Sequence, residues 1–235
     1  MCGRFAQGRE PIHYIQRFGE HWLDRVIPNV PARYNAAPTQ DVLVIRRNPK
    51  TTRGELGVLR WGLVPNWAKD TTIAFKTINA RSETVRTTAA FRDAWKAGRR
   101  CVIPVDAFYE WKPGTNPKQP YAIAQQDGAP LALAGLWDGW KDPASGEWLR
   151  TFTILTCAPN PFMAQLHDRM PVILPHDGVE HWLSAPDGSE ALRPYESEDL
   201  RMWPVSTRLN SPRNEGADLL EEVTPAVPLT LALGD

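Results

Sequence analysis

Cys2 follows the initiator methionine, so removal of one residue would leave a cysteine with a free α-amine and a thiol on neighbouring carbons. A 1,2-aminothiol of this kind condenses with an aldehyde to an imine, and the thiol then closes on the imine carbon to give a durable five-membered thiazolidine. At neutral pH an α-amine with a pKa of about 7.7–8.0 is only partly neutral and a thiol near about 8.5 only partly ionised. Both reactive forms are minorities, so the chemistry calls for an acid/base pair beside the cysteine. Glu110 stands among Phe108, Tyr109 and Trp111. A carboxyl in such surroundings is partly desolvated, which raises its pKa and suits it to carry protons near neutrality. His167 lies at a helix-to-strand junction, two residues before Arg169. A histidine beside a guanidinium able to hold a phosphate is a good acid/base candidate. Asn79, in KTINARSET, can both donate and accept and so position an aldehyde or sugar hydroxyls, while Arg81 offers a phosphate fork.

Each residue also has a structural reading. A small residue after Met1 suits aminopeptidases. On strand alternation Phe108 and Glu110 share one face and Tyr109 and Trp111 the other, which leaves Glu110 free to face solvent. A lone histidine is commonly a surface or capping residue, and KTINARSET reads equally as a polar loop before a helix. RWGLVPNWAK places Trp61 and Trp67 beside basic residues, and indoles near arginines form stacking platforms for unpaired bases. Most of the 10 tryptophans must be core, which leaves Trp67, in the polar loop, as the stacker.

The elements that must hold these groups are mainly short strands. Residues 9–18 predict an amphipathic helix ending at Gly19, and 28–38 a Pro-rich loop. The runs 41–47 and 55–64 predict a hairpin turning near Asn48-Pro49-Lys50. A helix is expected over 88–97 with Gly98 as its stop, strands at 101–105, 121–124, 131–136 and 151–156, then a helix at 159–166, a strand at 172–174, a helix at 178–184 and a strand at 202–205. Without regular βαβ alternation this is an α+β domain built round a mixed or barrel-like sheet. A single domain spanning 1–235 is expected, with its tail loosely attached from about residue 215.

No apolar stretch reaches the roughly 20 residues of a membrane span, and the N-terminus lacks the apolar core of a signal peptide. A cytoplasmic protein is expected. Cys2, Cys101 and Cys157 are too few and too widely spaced for a disulfide framework or a CxxC metal pair, so reduced thiols, no metal and no cofactor are expected. The net charge of zero hides an asymmetry: residues 1–118 hold 20 Lys and Arg against 10 Asp and Glu, and residues 119–235 hold 7 against 17. The first half, if it forms one face, attracts polyanions; if the halves interleave, the charges cancel.

The stretches MCGRF (1–5), YNAAPTQ (34–40), RWGLVPNWAK (60–69), INARSET (78–84), RRCVIPVDAFYEW (99–111) and HDRMPVIL (167–174) together resemble the SOS response-associated peptidase (SRAP) family of abasic-site processing proteins. They run in family order over most of the chain. The resemblance implies a bifurcated, partly barrel-like β-sheet core surrounded by helices, with a basic groove for single-stranded DNA. It implies that Cys2, freed of Met1 by autoproteolysis, forms a thiazolidine crosslink with the ring-opened sugar of an abasic site. Glu110 then moves protons during Met1 removal and ring closure, His167 assists sugar opening and imine protonation, and Asn79 orients Cys2 and the sugar. Arg4, Arg81 and Arg169 grip phosphates, and Trp67 and Pro38 line the groove. A monomer, associated with the nucleoid when bound to DNA, is implied, and lyase chemistry at the lesion is compatible with it. Ala107 departs from the glycine common in the family, which puts the placement of Glu110 in question. Two rival readings are an autoprocessing cysteine peptidase acting on protein substrates, with His167 as base, and a module that reads modified bases without bonding. Covalency separates them: the crosslinking reading alone requires an adduct that survives denaturation.

Overall fold

The computed structural model describes residues 2–225 apart from Pro49, Thr52 and Thr115. The β-branched run Asp41–Arg47 forms β3 and Gly54–Trp61 forms β4, antiparallel from Asp41↔Arg60 to Arg47↔Gly54. This is the expected hairpin, although Pro49 of its turn lies outside the described residues. Before it come β1 (Phe5–Gln7), α1 (Pro11–Gly19) and β2 (Arg33–Ala36); after it come β5 (Asn79–Arg81), α2 (Arg92–Lys96), β6 (Arg100–Val105), β7 (Ala107–Trp111) and β8 (Pro120–Gln125). The chain continues through β9 (Leu131–Lys141), β10 (Trp148–Cys157), β11 (Met170–Pro171), β12 (Ile173–Leu174), α3 (Gly178–Ser184) and β13 (Leu200–Pro204).

Five strands close on themselves. β3 pairs with β4, β4 runs parallel to β10, β10 pairs with β9, β9 with β6, and β6 returns to β3 at Ile45↔Val102. Closure removes the free strand edges that an open sheet would expose. Gly135 of β9 is required by this packing, because a Cβ there would lie 2.6 Å from the Thr153 carbonyl oxygen and 2.7 Å from Ile103. The second sheet has the order β13-β8-β7-β1-β2. The chain passes from barrel to second sheet at Asp106, between β6 and β7, where the sheet bifurcates. The Asp106 carboxylate fixes that junction by accepting from the Gly8 amide at 2.6 Å and the Tyr14 hydroxyl at 3.1 Å.

Both faces of the second sheet are covered. Phe5 and Phe108 join the main core, whereas Ala6, Ala107 and Tyr109 pack with Val205, Leu209 and Leu219. The Ala107 Cβ sits in this apolar layer, with Ala107 paired opposite Ala6. Leu209 and Leu219 are fully buried, worth about 1.5–3 kcal/mol each. The tail expected to be loose from about residue 215 is thus anchored as far as Val223, whose amide donates to the Pro204 carbonyl at 3.0 Å. Residues 226–235 lie outside the described residues.

Two expected helices are shorter. The 88–97 helix shrinks to α2, because Thr87 and Thr88 turn their hydroxyls onto the Thr84 carbonyl at 3.2 and 2.9 Å and hold the preceding segment in turns. The 159–166 helix is a single 3-10 turn, Met163–Gln165, started by the Asn160 side chain accepting from the Met163 amide at 2.8 Å. The oppositely charged halves interleave, since β10 lies between β4 and β9. Arg47–Glu180, Arg86–Asp187 and Arg99–Asp138 pairs cancel part of the basic surplus.

Candidate active site

Three backbone pairings bring distant parts of the sequence to Cys2. β1 and β7 pair at Phe5↔Phe108 and Ala6↔Ala107, and the Tyr109 amide donates to the Arg4 carbonyl at 3.0 Å. Continued by two residues, that register sets Gly3 level with Glu110. β5 lies parallel to β10 with Asn79 opposite Ile154, and the Asn79 Nδ2 donates to the Cys2 carbonyl at 2.8 Å. The Asn79 Oδ1 is buried without a partner among the described residues, an acceptor kept beside the cysteine. β11 brings the segment before it to the end of β10, and there His167 lines a cavity of about 740 Å³ together with Glu110. Four residues separated by up to 165 positions thus meet around one backbone carbonyl and one cavity.

The electrostatics follow from burial. Glu110 is 3 % exposed because both faces of β7 are covered, so alternation along the strand does not lead to solvent. Desolvation raises its pKa, which makes the carboxylate a stronger base than a surface glutamate. Cys2 has no exposed surface, and burial, followed by the neighbouring Glu110 charge, pushes its thiol far above its ordinary range. Burial thus favours the protonated thiol, and the Glu110 charge acts on it in the same direction. Cys2 Sγ lies 3.9 Å from the Arg4 carbonyl oxygen. His167 Nδ1 accepts the Arg169 amide N–H at 3.0 Å and lies 2.7 Å from the Asp168 carboxylate. A ring nitrogen serves the first contact only when unprotonated and the second only when protonated. Burial lowers the His167 pKa and so favours the neutral ring, and the amide contact belongs to the tautomer that carries its proton on Nε2.

The residues expected to meet DNA are less uniform. Trp67 is 52 % exposed, in keeping with a stacking role, whereas Trp61 is buried between Phe5 and Phe152. Arg81 is exposed at the end of β5, on the same strand face as Asn79. Pro38 is half-buried and precedes Thr39, whose φ of 71° is strained for a β-branched residue and is held by its amide bond to the Trp61 carbonyl at 2.8 Å. Arg169 already grips Glu83 in a bidentate pair at 2.5 and 2.8 Å and the Thr156 carbonyl at 2.7 Å. Arg4 donates to Asn35 Oδ1 at 2.7 Å and the Leu209 carbonyl at 3.0 Å, and its guanidinium lies 5.9 Å from the Trp111 ring centre.

Sequence reasoning passed over several of these partners. Glu83 sits inside INARSET and was legible as an acid beside arginines. Asn35, fully buried, binds the carbonyls of Ser211 and Asn214 at 3.0 and 2.9 Å, and nothing in its neighbourhood announces that. Phe75, 69 % exposed, is a further exposed aromatic, eight residues along the chain from Trp67. Among the described residues no three His, Cys, Asp or Glu side chains gather as metal ligands, and no helix is long and apolar enough to cross a membrane.

The family model of the SOS response associated peptidase (SRAP) matches residues 1–212. Abasic site processing protein YoaM of Bacillus subtilis (strain 168) is 42 % identical, over 94 % of this chain and 98 % of its own. Abasic site processing protein YedK of Escherichia coli (strain K12) is 31 % identical over 95 % of this chain and 100 % of its own. A crystal structure of a Bordetella bronchiseptica protein superimposes with a TM-score of 0.74 at 30 % identity, covering 87 % of this chain and all of that one. One from Bacteroides thetaiotaomicron, 24 % identical, shares the fold with a TM-score of 0.82 over 95 % of this chain and all of that one. With the family model spanning nearly the whole described chain and the motif residues gathered at one site, the protein belongs to the SRAP family.

Proposed function

We propose that this protein processes abasic sites by binding single-stranded DNA and trapping the ring-opened deoxyribose as a thiazolidine on Cys2. The observation that carries the reading is the convergence of Cys2, Asn79, Glu110 and His167, with Asn79 bonded to the Cys2 carbonyl at 2.8 Å and Glu110 and His167 on one cavity. Cleavage of the bond ahead of Cys2 by autoproteolysis frees the α-amine. Met1 itself lies outside the described residues. The amine attacks the aldehyde carbon, water leaves as the imine forms, and the thiol adds to the imine carbon while its proton passes to nitrogen. Glu110 serves as base toward amine and thiol, and neutral His167 shuttles the proton at the sugar oxygen. Asn79 holds the Cys2 backbone so that both nucleophilic atoms meet the same carbon.

Trp67 stacks a base, Arg81 meets a phosphate, and Pro38, beside the strained Thr39, lines the strand path. Arg4 and Arg169 act on phosphate with part of their donor set already engaged, which makes them anchors of the groove as well as contacts. The name abasic site processing protein, carried by the relatives in B. subtilis and E. coli, supports this reading.

Intact mass under denaturing conditions, before and after incubation with a single-stranded oligonucleotide carrying one abasic site, tests the reading. A starting mass without methionine and a gain of one oligonucleotide less water are expected, and Cys2→Ala should bind the strand without any gain. A processed protein that gains nothing, or a Cys2→Ala variant that still does, refutes it.

A further inference from the structure

The cavity shared by Glu110 and His167 is also lined by Lys112, Gly114 and Lys118 from the loop between β7 and β8, whose Thr115 lies outside the described residues. Residues 111–120 contain two lysines and no acidic residue. Both ends of the loop are tied to a single side chain. Asn210 Oδ1 accepts from the Trp111 indole Nε1 at 2.6 Å, and its Nδ2 donates to the Lys118 carbonyl at 3.1 Å. An indole N–H only donates and a carbonyl only accepts, so one orientation of the amide satisfies both. Asn210 is itself well anchored: it ends the 3-10 turn Thr207–Asn210, where Leu209 is fully buried and its carbonyl receives Arg4 at 3.0 Å. The Lys112 amide donates to the Gln119 carbonyl at 2.9 Å and closes the stem of the loop.

The charge requirement of the site points to this loop. A strand that sets its sugar between Cys2 and His167 must place a phosphate on either side of that sugar. Arg169 spends part of its donor set on Glu83 and Arg4 part on Asn35 and the Leu209 carbonyl, so a further cation without such partners strengthens the grip on the flanking phosphates. Lys118 is exposed and enters no ion pair among the described residues. The cavity of about 740 Å³ falls within the range of roughly 300–1,000 Å³ that holds small ligands, enough for a sugar and its phosphate.

We propose that Lys118 binds a backbone phosphate next to the abasic sugar, and that Asn210 is a positioning residue that presents it by clamping both ends of the 112–118 loop. The inference rests on the reading of the protein as a binder of single-stranded DNA. Its test is the salt dependence of affinity for an undamaged single-stranded oligonucleotide, measured for the parent, Lys118→Gln, Asn210→Ala and the double variant, with thermal melting to check each fold. Loss of one phosphate contact lowers the log–log slope by about 0.7 for a single strand. Lys118→Gln should show that loss with unchanged melting, Lys118→Arg should restore it, and Lys118→Gln should add little in the Asn210→Ala background. A parent-like slope in Lys118→Gln overturns the phosphate contact, and full additivity overturns the positioning role. A parent without affinity for single strands overturns the functional reading as well, which sets that failure apart from a steep parent slope that Lys118→Gln leaves unchanged.

Discussion

Replacing Asn79 by alanine removes one interaction of known geometry from Cys2, the proposed nucleophile. The bond from Asn79 Nδ2 to the Cys2 carbonyl is 2.8 Å long, and a neutral bond of that kind contributes about 0.5–1.5 kcal/mol net. Were all of it expressed in the transition state, the rate of adduct formation would fall about twofold to tenfold. Where the Cys2 carbonyl is left buried without a donor, the penalty rises to about 3 kcal/mol and the loss to about a hundredfold. A displaced Cys2 backbone adds to this, since a 1 Å error in reacting geometry alone costs about a hundredfold. Asn79→Asp should be the slower variant, because it sets a carboxylate oxygen against the carbonyl it formerly served. The assay is a time course of denaturation-resistant adduct at saturating abasic oligonucleotide, using protein whose mass shows complete Met1 removal. Melting runs beside it, where a drop of about 1 kcal/mol is expected. An Asn79→Ala rate within a factor of two of the parent would refute the assignment, and so would Asn79→Asp outpacing Asn79→Ala.

Glu110→Gln should retain Met1 and yet be the more stable protein at pH 7. The folded pKa of Glu110 is raised above the unfolded value of about 4.3, so the fold loses stability as pH rises from about 4.3 through the folded pKa, by about 1.4 kcal/mol for each pH unit between the two. Denaturant midpoints of variant and parent should converge near pH 3, and equal midpoints at pH 7 would contradict the burial argument. Glu83 has the opposite sign: Arg169 holds its pKa at about 2, so its contribution is present above about pH 4.3 and fades as pH falls toward 2. With a half-exposed side chain, Glu83→Gln should cost at most about 1 kcal/mol at pH 7, a difference that vanishes in strong acid. Trp67→Ala should weaken single-strand binding by about 1–3 kcal/mol with little change in melting, as the residue is 52 % exposed; unchanged anisotropy titrations would remove it from the strand path.

The identities of the groups proposed to react were legible in the chain. A cysteine at position 2 defines an aminothiol by covalent structure alone, and the β3–β4 hairpin, α1 and α3 follow from periodicity that any tertiary context would respect. The Thr88–Ala97 helix was not legible as it stands, because threonine hydroxyls competing for a local carbonyl outweighed helix propensity. The sequence also left Glu110 undecided between solvent and core, and assigned Arg4 and Arg169 only by their charge. Tertiary structure decided those points. Glu110 is buried because β7 lies between two apolar layers, one of them completed by Leu209 and Leu219 from a segment about a hundred residues away. The two arginines acquired their partners the same way, from Asn35, Leu209 and Glu83. Residue type is a local property that the chain carries with it, whereas desolvation and partner choice depend on which distant segments close round a side chain, and only the packed fold supplies them.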